Sequence, residues 1–399
     1  MKTLMIAPFY EYRYGGAELI MRIQRRCLEE RGVAIDVLCL EGGPEPQNGT
    51  LWRLPLPKPF KTHPLAIKRA IIFLNNPWFD RHFLGAIKRL PIPFETYDLI
   101  HCQTHYWVDM GHRLARQFGK PLALTFHDNL PREIPRELTH PALSLGLQWL
   151  EHLQGRYLRR VLRQCRWISG VSDHVDRKLA RYLHPGGPPI YTIYNPHPPF
   201  DTSVNNLPAK KTGVPKALYI GRLSKEKGLD LLLEAMKGYR EPIELTILGL
   251  EGPLQGLAQA SADQDARIRL HPPVPHAQVQ GFFQDHDIVC CPSVWNDPLP
   301  GTVIETRLYQ KAILTTDRGG IPEILEGYRK AVIVETPGLN RAQLIEKLRA
   351  GLLRAVQLIP SPLDAQQEAG FLRRFSLESF AGHYYRLYME GRLDRPVKV

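Results

Sequence analysis

The sequence predicts an α/β protein made of two doubly wound, parallel-sheet domains. Three observations lead there. Short apolar runs of strand length alternate with helical patterns through most of the chain. At 399 residues the chain exceeds what one hydrophobic core ordinarily organises. The alternation also restarts after a turn-rich stretch at 197–215, which reads as an interdomain linker.

Composition narrows the class. A hydrophobic share of 43% and a charged share of 23% fit a folded globular chain rather than a disordered one. The 35 prolines are scattered between periodic segments and so mark loops, not low complexity. No apolar run reaches the ~18 residues of a membrane span, and Thr3 to Phe9 is too short for a secretory leader, so a cytoplasmic protein is expected. The net charge of +12 is uneven: residues 1–200 hold 27 Lys+Arg against 17 Asp+Glu, residues 201–399 hold 25 against 23. A basic first half suggests a polyanionic partner, either nucleic acid or an anionic membrane face. The six cysteines lack zinc-ligand or CxxC spacing and sit mostly in apolar runs, as buried free thiols of a reducing compartment would.

In chain order, Leu4–Ala7 reads as the first strand. Gly15-Gly16-Ala17-Glu18 opens a helix running to about Arg31, and Val33–Leu40 is the second strand. The two glycines let a ligand approach the backbone at a helix N-terminus. Residues 54–94 interrupt the rhythm with Lys58, Lys61, Lys68, Arg69, Arg81, Lys88 and Arg89 among Phe60, Phe73, Trp78, Phe79 and Phe83. Such a segment either packs on the core with a basic rim or lies in a bilayer interface; the exposed part is expected to touch membrane. Leu99–Cys102 resumes the strands, a helical pattern covers Trp107–Phe118, and Pro121–Phe126 ends at His127-Asp128. A histidine at the C-terminal end of a parallel strand points into the ligand crevice, where it can bond a sugar hydroxyl or polarise a reacting group. His101, His105, His112 and His127 raise a metal site, but no HxxxH helix pair or second cluster completes one. A long helix is read from about Pro141 to Arg163, then a strand Trp167–Ser172, a helix capped by Asp173, and a strand Tyr191–Tyr194.

From Lys216 strands are read at 217–220, 243–248, 267–270, 287–291, 312–316 and 331–334. After the first comes Gly221-Arg222-Leu223-Ser224-Lys225-Glu226-Lys227-Gly228, a strand-end turn with two spaced cations before a helix. Backbone N–H groups, a helix dipole and fixed charge meet there, which suits a diphosphate; an ordinary loop with solvated cations is the plainer reading. Asp297 falls in a loop, and Glu305 about one turn into the next helix; two carboxylates so placed can each grip vicinal hydroxyls. Gly319-Gly320-Ile321-Pro322-Glu323 forms another turn before a helix.

With these motifs in this order, both halves of the chain resemble the retaining GT-B glycosyltransferases of the family 4 type (glycosyl transferases group 1). Gly15-Gly16, Ser169–Ser172, Gly221-Arg222-Leu223 with Lys227-Gly228, Asp297 and Glu305 with seven residues between, and Gly319–Glu323 carry the likeness. The resemblance implies two Rossmann-like domains facing each other across a cleft: 1–196 for acceptor and 216–370 for nucleotide sugar. It also implies that the helical stretch 371–399 crosses back onto the first domain; a plain terminal helix on the second is the other reading. Arg222 and Lys227 would bind the donor diphosphate and Glu305 its ribose. His127, in Thr125-Phe126-His127, would lie near the transferred sugar with Asp297, and Gly15, Gly16, Gly221, Gly301 and Thr302 would line the donor site.

Three departures bear on the sugar. Asp297 stands where the family has glutamate, Pro300 replaces a glycine whose N–H often touches the sugar, and Gln310 stands where glycine is common. The expected activity is retaining transfer of a hexosyl unit from a nucleotide diphosphate sugar to a glycan, lipid-linked or other cell-envelope acceptor. No metal or other cofactor is expected, and the anionic inner face of the membrane is the expected surface. Competing readings are an epimerase or phosphorylase on the same fold and, in a different class, a nucleic-acid-binding module. Nucleic acid is not the expected partner.

Overall fold

The computed structural model describes residues 1–11, 16–41, 51–55, 83–128, 155–197 and 213–397. Two compact units result: Met1–Pro196 together with Glu378–Val399, and His197–Leu377.

The first unit is built on β1 (Lys2–Ile6), β2 (Ala34–Leu40), β3 (Leu51–Leu54), β4 (Leu99–Cys102), β5 (Leu122–Phe126), β6 (Trp167–Gly170) and β7 (Ile190–Thr192). Their order is β3-β2-β1-β4-β5-β6-β7, with every neighbouring pair parallel. Strands covered on both faces need no polar side, which is why β1, β4 and β5 are near-continuous apolar runs. Strand order reverses between β1 and β4, the place where sheets of this kind bind ligands at their C-terminal strand ends. Helices α1 (Gly16–Glu29), α2 (Val108–Phe118) and α3 (Asp173–Leu183) follow β1, β4 and β6.

Several sequence expectations change here. β3 was not read from the sequence: it is a four-residue edge strand with only Leu54 fully buried, so its period carries little signal. Of the basic aromatic segment, residues 56–82 lie outside the described residues. In the remainder, Phe83, Ile87, Ile92 and Phe94 are buried in the core, and the Phe83 ring sits 5.2 Å from that of Trp107. The two cations there, Lys88 and Arg89, are exposed, while these apolar side chains face protein. Ser172, not Asp173, caps α3: its hydroxyl accepts the Val175 N–H at 3.3 Å, while Asp173 accepts from Thr192 Oγ1. The helix read at 141–163 falls partly, and the linker at 197–215 largely, outside the described residues (129–154 and 198–212).

The second unit holds β8 (Lys216–Arg222), β9 (Glu244–Leu250), β10 (Ile268–His271), β11 (Ile288–Cys291), β12 (Ala312–Thr316) and β13 (Ala331–Val334). Its order, β10-β9-β8-β11-β12-β13, is again all parallel, with the reversal between β8 and β11. Between and after the strands run α4 (Leu229–Gly238), α5 (Gln255–Gln264), α6 (His276–Asp285), α7 (Gly301–Leu308), α8 (Ile321–Ile324), α9 (Arg341–Leu358) and α10 (Ala365–Arg374). Asp285-His286-Asp287, which has the spacing of a metal motif, ends α6. His286 lies 2.7 Å from the Phe282 carbonyl oxygen and 2.8 Å from Thr246 Oγ1, and Asp287 accepts the Lys216 N–H at 2.9 Å. Gln310 is the non-glycine residue with positive φ among the described residues, at 55°, which explains why glycine suits that turn.

The helical stretch expected over 371–399 is instead the end of one helix and the whole of a second. Phe375 and Ser376 separate α10 from α11 (Leu377–Glu390). In the second unit Glu368 of α10 takes a two-pronged ion pair from the buried Arg307 of α7, whose guanidinium also lies 4.4 Å from the Phe371 ring. In the first unit α11 buries Phe380, Tyr384, Leu387 and Tyr388 against Met5, Ala7 and Trp167. All six cysteines are free, and five are buried; burial pushes Cys39, Cys165 and Cys290 up to about 12, which keeps them inert thiols.

Candidate donor-binding site

In the second unit the predicted residues gather on loops at the C-terminal ends of β8, β11 and β12, beside the strand-order reversal. The β8 loop is held by its own backbone. Gly228 has φ 72°, and a Cβ there would overlap the Pro292 carbonyl. Only glycine gives that left-handed turn and lets the two loops touch. The Glu226 carbonyl then accepts from Val294 N (3.0 Å), Trp295 N (3.1 Å) and Ser293 Oγ (3.2 Å), which ties the β8 loop to the β11 loop. A third loop closes on the second through the Gly320 N–H, which donates to the Asp297 carbonyl at 2.9 Å. Gly319 sits at φ 61° with no room for a Cβ against the Asp297 backbone. The glycines of both motifs are thus explained by loop-to-loop approach.

On this scaffold Arg222 is exposed at the end of β8, and Lys227 is ion-paired with Asp297. Burial alone would depress the Lys227 ammonium, but the Asp297 carboxylate beside it holds its pKa above the ordinary lysine value. Gly221 precedes Arg222 at φ 154°. Pro300 is the N-cap of α7, so Gly301 and Thr302 are its first residues, where helical N–H groups have no partner within the helix. Glu305 lies one turn in and is 9% exposed. Its Oε1 is 3.4 Å from Nε2 of His197. Sequence reasoning did not single out His197; it stands 108 positions away, and no local pattern links the two.

The first unit holds Gly16 and His127; Gly15 lies outside the described residues. Gly16 begins α1 with open space where a Cβ would stand. His127 directly follows β5, and burial holds its imidazole down to about 4, so it is neutral near pH 7. Its Nε2 lies 3.2 Å from Gln103 Oε1. Asp128 beside it is exposed and accepts from Tyr106 Oη at 3.3 Å. His105 is a core residue: its ring stacks on Phe126 at 4.7 Å. Among the described residues no group of three His, Cys, Asp or Glu side chains converges to hold a metal, and no helix is long and apolar enough to cross a membrane.

Two family models match the chain. One described as Glycosyltransferase Family 4 covers residues 14–199, and one described as Glycosyl transferases group 1 covers 205–354. A D-inositol 3-phosphate glycosyltransferase of Xylanimonas cellulosilytica is 23% identical over 327 residues, which is 76% of this chain and 74% of that protein. Among solved structures, sucrose-phosphate synthase from Thermosynechococcus elongatus superimposes with a TM-score of 0.70 at 17% identity, covering 98% of each chain. The Anabaena protein Alr3699/HepE, in complex with UDP-glucose, does so with a TM-score of 0.63 at 15% identity, covering 98% of this chain and 100% of that one.

Proposed function

The chain belongs to the glycosyl transferases of group 1, family 4, with their GT-B fold, and from that membership we propose a specific reaction. The protein transfers a hexosyl unit, with retention and without a metal, from a nucleotide diphosphate sugar to a glycan or lipid-linked acceptor of the cell envelope. One observation carries this: Arg222 at the end of β8, Lys227 paired with Asp297 on the loops, and Glu305 on α7 all stand at the C-terminal strand ends beside one strand-order reversal. The Anabaena neighbour with bound UDP-glucose supports the donor class.

Breaking the anomeric C–O bond leaves its electron pair on the diphosphate. Arg222 and Lys227 stabilise that charge as it develops, together with the N–H groups that open α4 and α7. Lys227 is kept protonated for the task by Asp297. The diphosphate replaces part of that pairing when donor binds, which frees the carboxylate for a sugar hydroxyl. Glu305 takes the ribose hydroxyls, with His197 at its other side. We read His127, neutral because it is buried, as the sugar-side residue on the family resemblance. The acceptor attacks the face the leaving group departs from, and a phosphate oxygen takes its proton. The site of action is the cytoplasmic face of the membrane, a reading supported by the basic first half.

A panel of nucleotide sugars, read first by hydrolysis, identifies the donor. With an α-linked donor the product anomeric proton shows the small coupling of an α-glycoside, and turnover survives excess EDTA. A β-linked product, or loss of activity on chelation, overturns the mechanism. Sedimentation with phosphatidylglycerol vesicles but not with neutral ones supports the membrane surface; equal recovery with both, or with neither, removes it.

A further inference from the structure

A hydrogen-bonded chain of neutral side chains runs through the interior of the first unit, and of its members the reaction above uses only His127. Tyr388 Oη of α11 lies 2.7 Å from Nδ1 of His101, and His101 Nε2 lies 2.9 Å from Thr125 Oγ1. The Gln103 amide nitrogen lies 3.3 Å from His101 Nδ1 and donates to Gln24 Oε1 at 3.0 Å. Its carbonyl oxygen faces His127 Nε2 at 3.2 Å. His101, Gln103 and Gln24 are fully buried, and Tyr388 nearly so.

The protons in this chain can be counted. A glutamine offers two N–H donors and one acceptor oxygen. Gln103 points its donors at Gln24 Oε1 and His101 Nδ1, so that nitrogen is bare and Nε2 of His101 carries the proton that Thr125 accepts. Tyr388, the nearer donor at 2.7 Å, gives its hydroxyl proton to the one lone pair of that Nδ1, and the Gln103 N–H at 3.3 Å is the weaker second contact. The Gln103 oxygen can only accept, so His127 carries its proton on Nε2 and leaves Nδ1 unprotonated. Turning the Gln103 amide over would place a proton on His101 Nδ1, and the buried Tyr388 hydroxyl would then lose its acceptor in this chain. That loss costs on the order of 1–3 kcal/mol. Nδ1 of His127 is itself buried and has no hydrogen-bond partner among the described residues.

We propose that Gln103 is a positioning residue. Held through His101 by Tyr388, it fixes the proton of His127 on Nε2 and presents Nδ1 as an acceptor for a hydroxyl of the transferred sugar. The sugar clause rests on the reading of His127 as the sugar-side residue; the proton assignment does not. Burial keeps both imidazoles uncharged, His101 down to about 3 and His127 to about 4, so the arrangement persists across the working pH.

The test uses the full chain with 15N-labelled histidine and three variants: Gln103→Met, which keeps the shape but removes both functions, Gln103→Glu, which keeps the acceptor, and Tyr388→Phe. In the parent protein the NMR signals of His127 place the proton on Nε2. Gln103→Met mixes the tautomers and lowers kcat/KM for the nucleotide sugar about tenfold, the weight of one neutral hydrogen bond. Affinity for the nucleoside diphosphate without sugar stays unchanged. Gln103→Glu, which keeps an oxygen facing His127 Nε2, retains the Nε2–H signature that Gln103→Met loses. Tyr388→Phe, far from the reacting atoms, shifts the tautomers in the same direction and stands in if Gln103→Met does not fold. A parent His127 protonated on Nδ1, or tautomers unmoved by both Gln103→Met and Tyr388→Phe, overturns the positioning role. Tautomers as expected, with turnover intact in His127→Ala, overturn the sugar-side reading instead.

Discussion

Replacing Gly228 with alanine tests whether the loop between β8 and α4 is built as described. Gly228 is the N-cap of α4 in the left-handed region, at φ 72°. A side chain in that conformation costs about 1–2 kcal/mol. The added Cβ also falls on the carbonyl of Pro292, a backbone group that cannot swing aside like a flexible side chain. Overpacking of this kind costs about 1–3 kcal/mol more. The sum is about 2–5 kcal/mol, to be read from the shift of the urea midpoint at constant slope. Because Pro292 leads into the residues that clamp Glu226, the folded fraction should also bind nucleoside diphosphate more weakly. Gly16→Ala is the control: it starts a helix in open space and should change stability by less than about 0.5 kcal/mol, or raise it. A Gly228→Ala protein within about 0.5 kcal/mol of the parent would refute the steric account.

Arg222→Ala and Lys227→Ala should each lower turnover by about 10²–10³-fold in a folded protein, and near-normal rates in both would remove the diphosphate assignment. Glu305→Ala should weaken affinity for a nucleoside diphosphate in calorimetry, whereas Asp297→Ala should chiefly affect the complete nucleotide sugar; equal losses on the sugar-free ligand would dissolve that division. Stability should fall on acidification in a window to which His101, His105 and His127, the histidines most depressed by burial, contribute most. Burial depresses His101 and His105 to about 3 and His127 to about 4, so each binds its proton more readily when unfolded. Their contribution is complete above the unfolded value of about 6.5 and is lost below it, at about 1.4 kcal/mol per pH unit for each histidine, down to the folded values. Urea titrations at pH 7.5, 6 and 5 should show the decline, and His105→Phe should reduce its slope by up to about 1.4 kcal/mol per pH unit; a flat profile would contradict the burial.

Much of this was legible in the chain itself. Strands buried on both faces must be apolar runs, and helices packed on them must be amphipathic, so the two wound sheets are written into periodicity alone. The glycines at 228, 319 and 320 and the cations at 222 and 227 are equally local, because a turn needs its own residues. What needed the tertiary structure is whatever joins distant positions. His197 meets Glu305, Arg307 pairs with Glu368, and α11 inserts Tyr384 and Tyr388 beside His101, contacts no period records. β3 escaped because a half-exposed edge strand of four residues is too short for a period to stand out. The break at Phe375 and Ser376 escaped because both flanking helices carry the same apolar spacing, and only packing decides that one covers Arg307 and the other the first sheet. Gln103 shows the limit most plainly: a glutamine after a strand has no distinctive pattern, and its partners stand 24 and 79 positions away. Short-range chemistry is written where it acts, whereas a buried hydrogen bond exists only once the chain has closed around it.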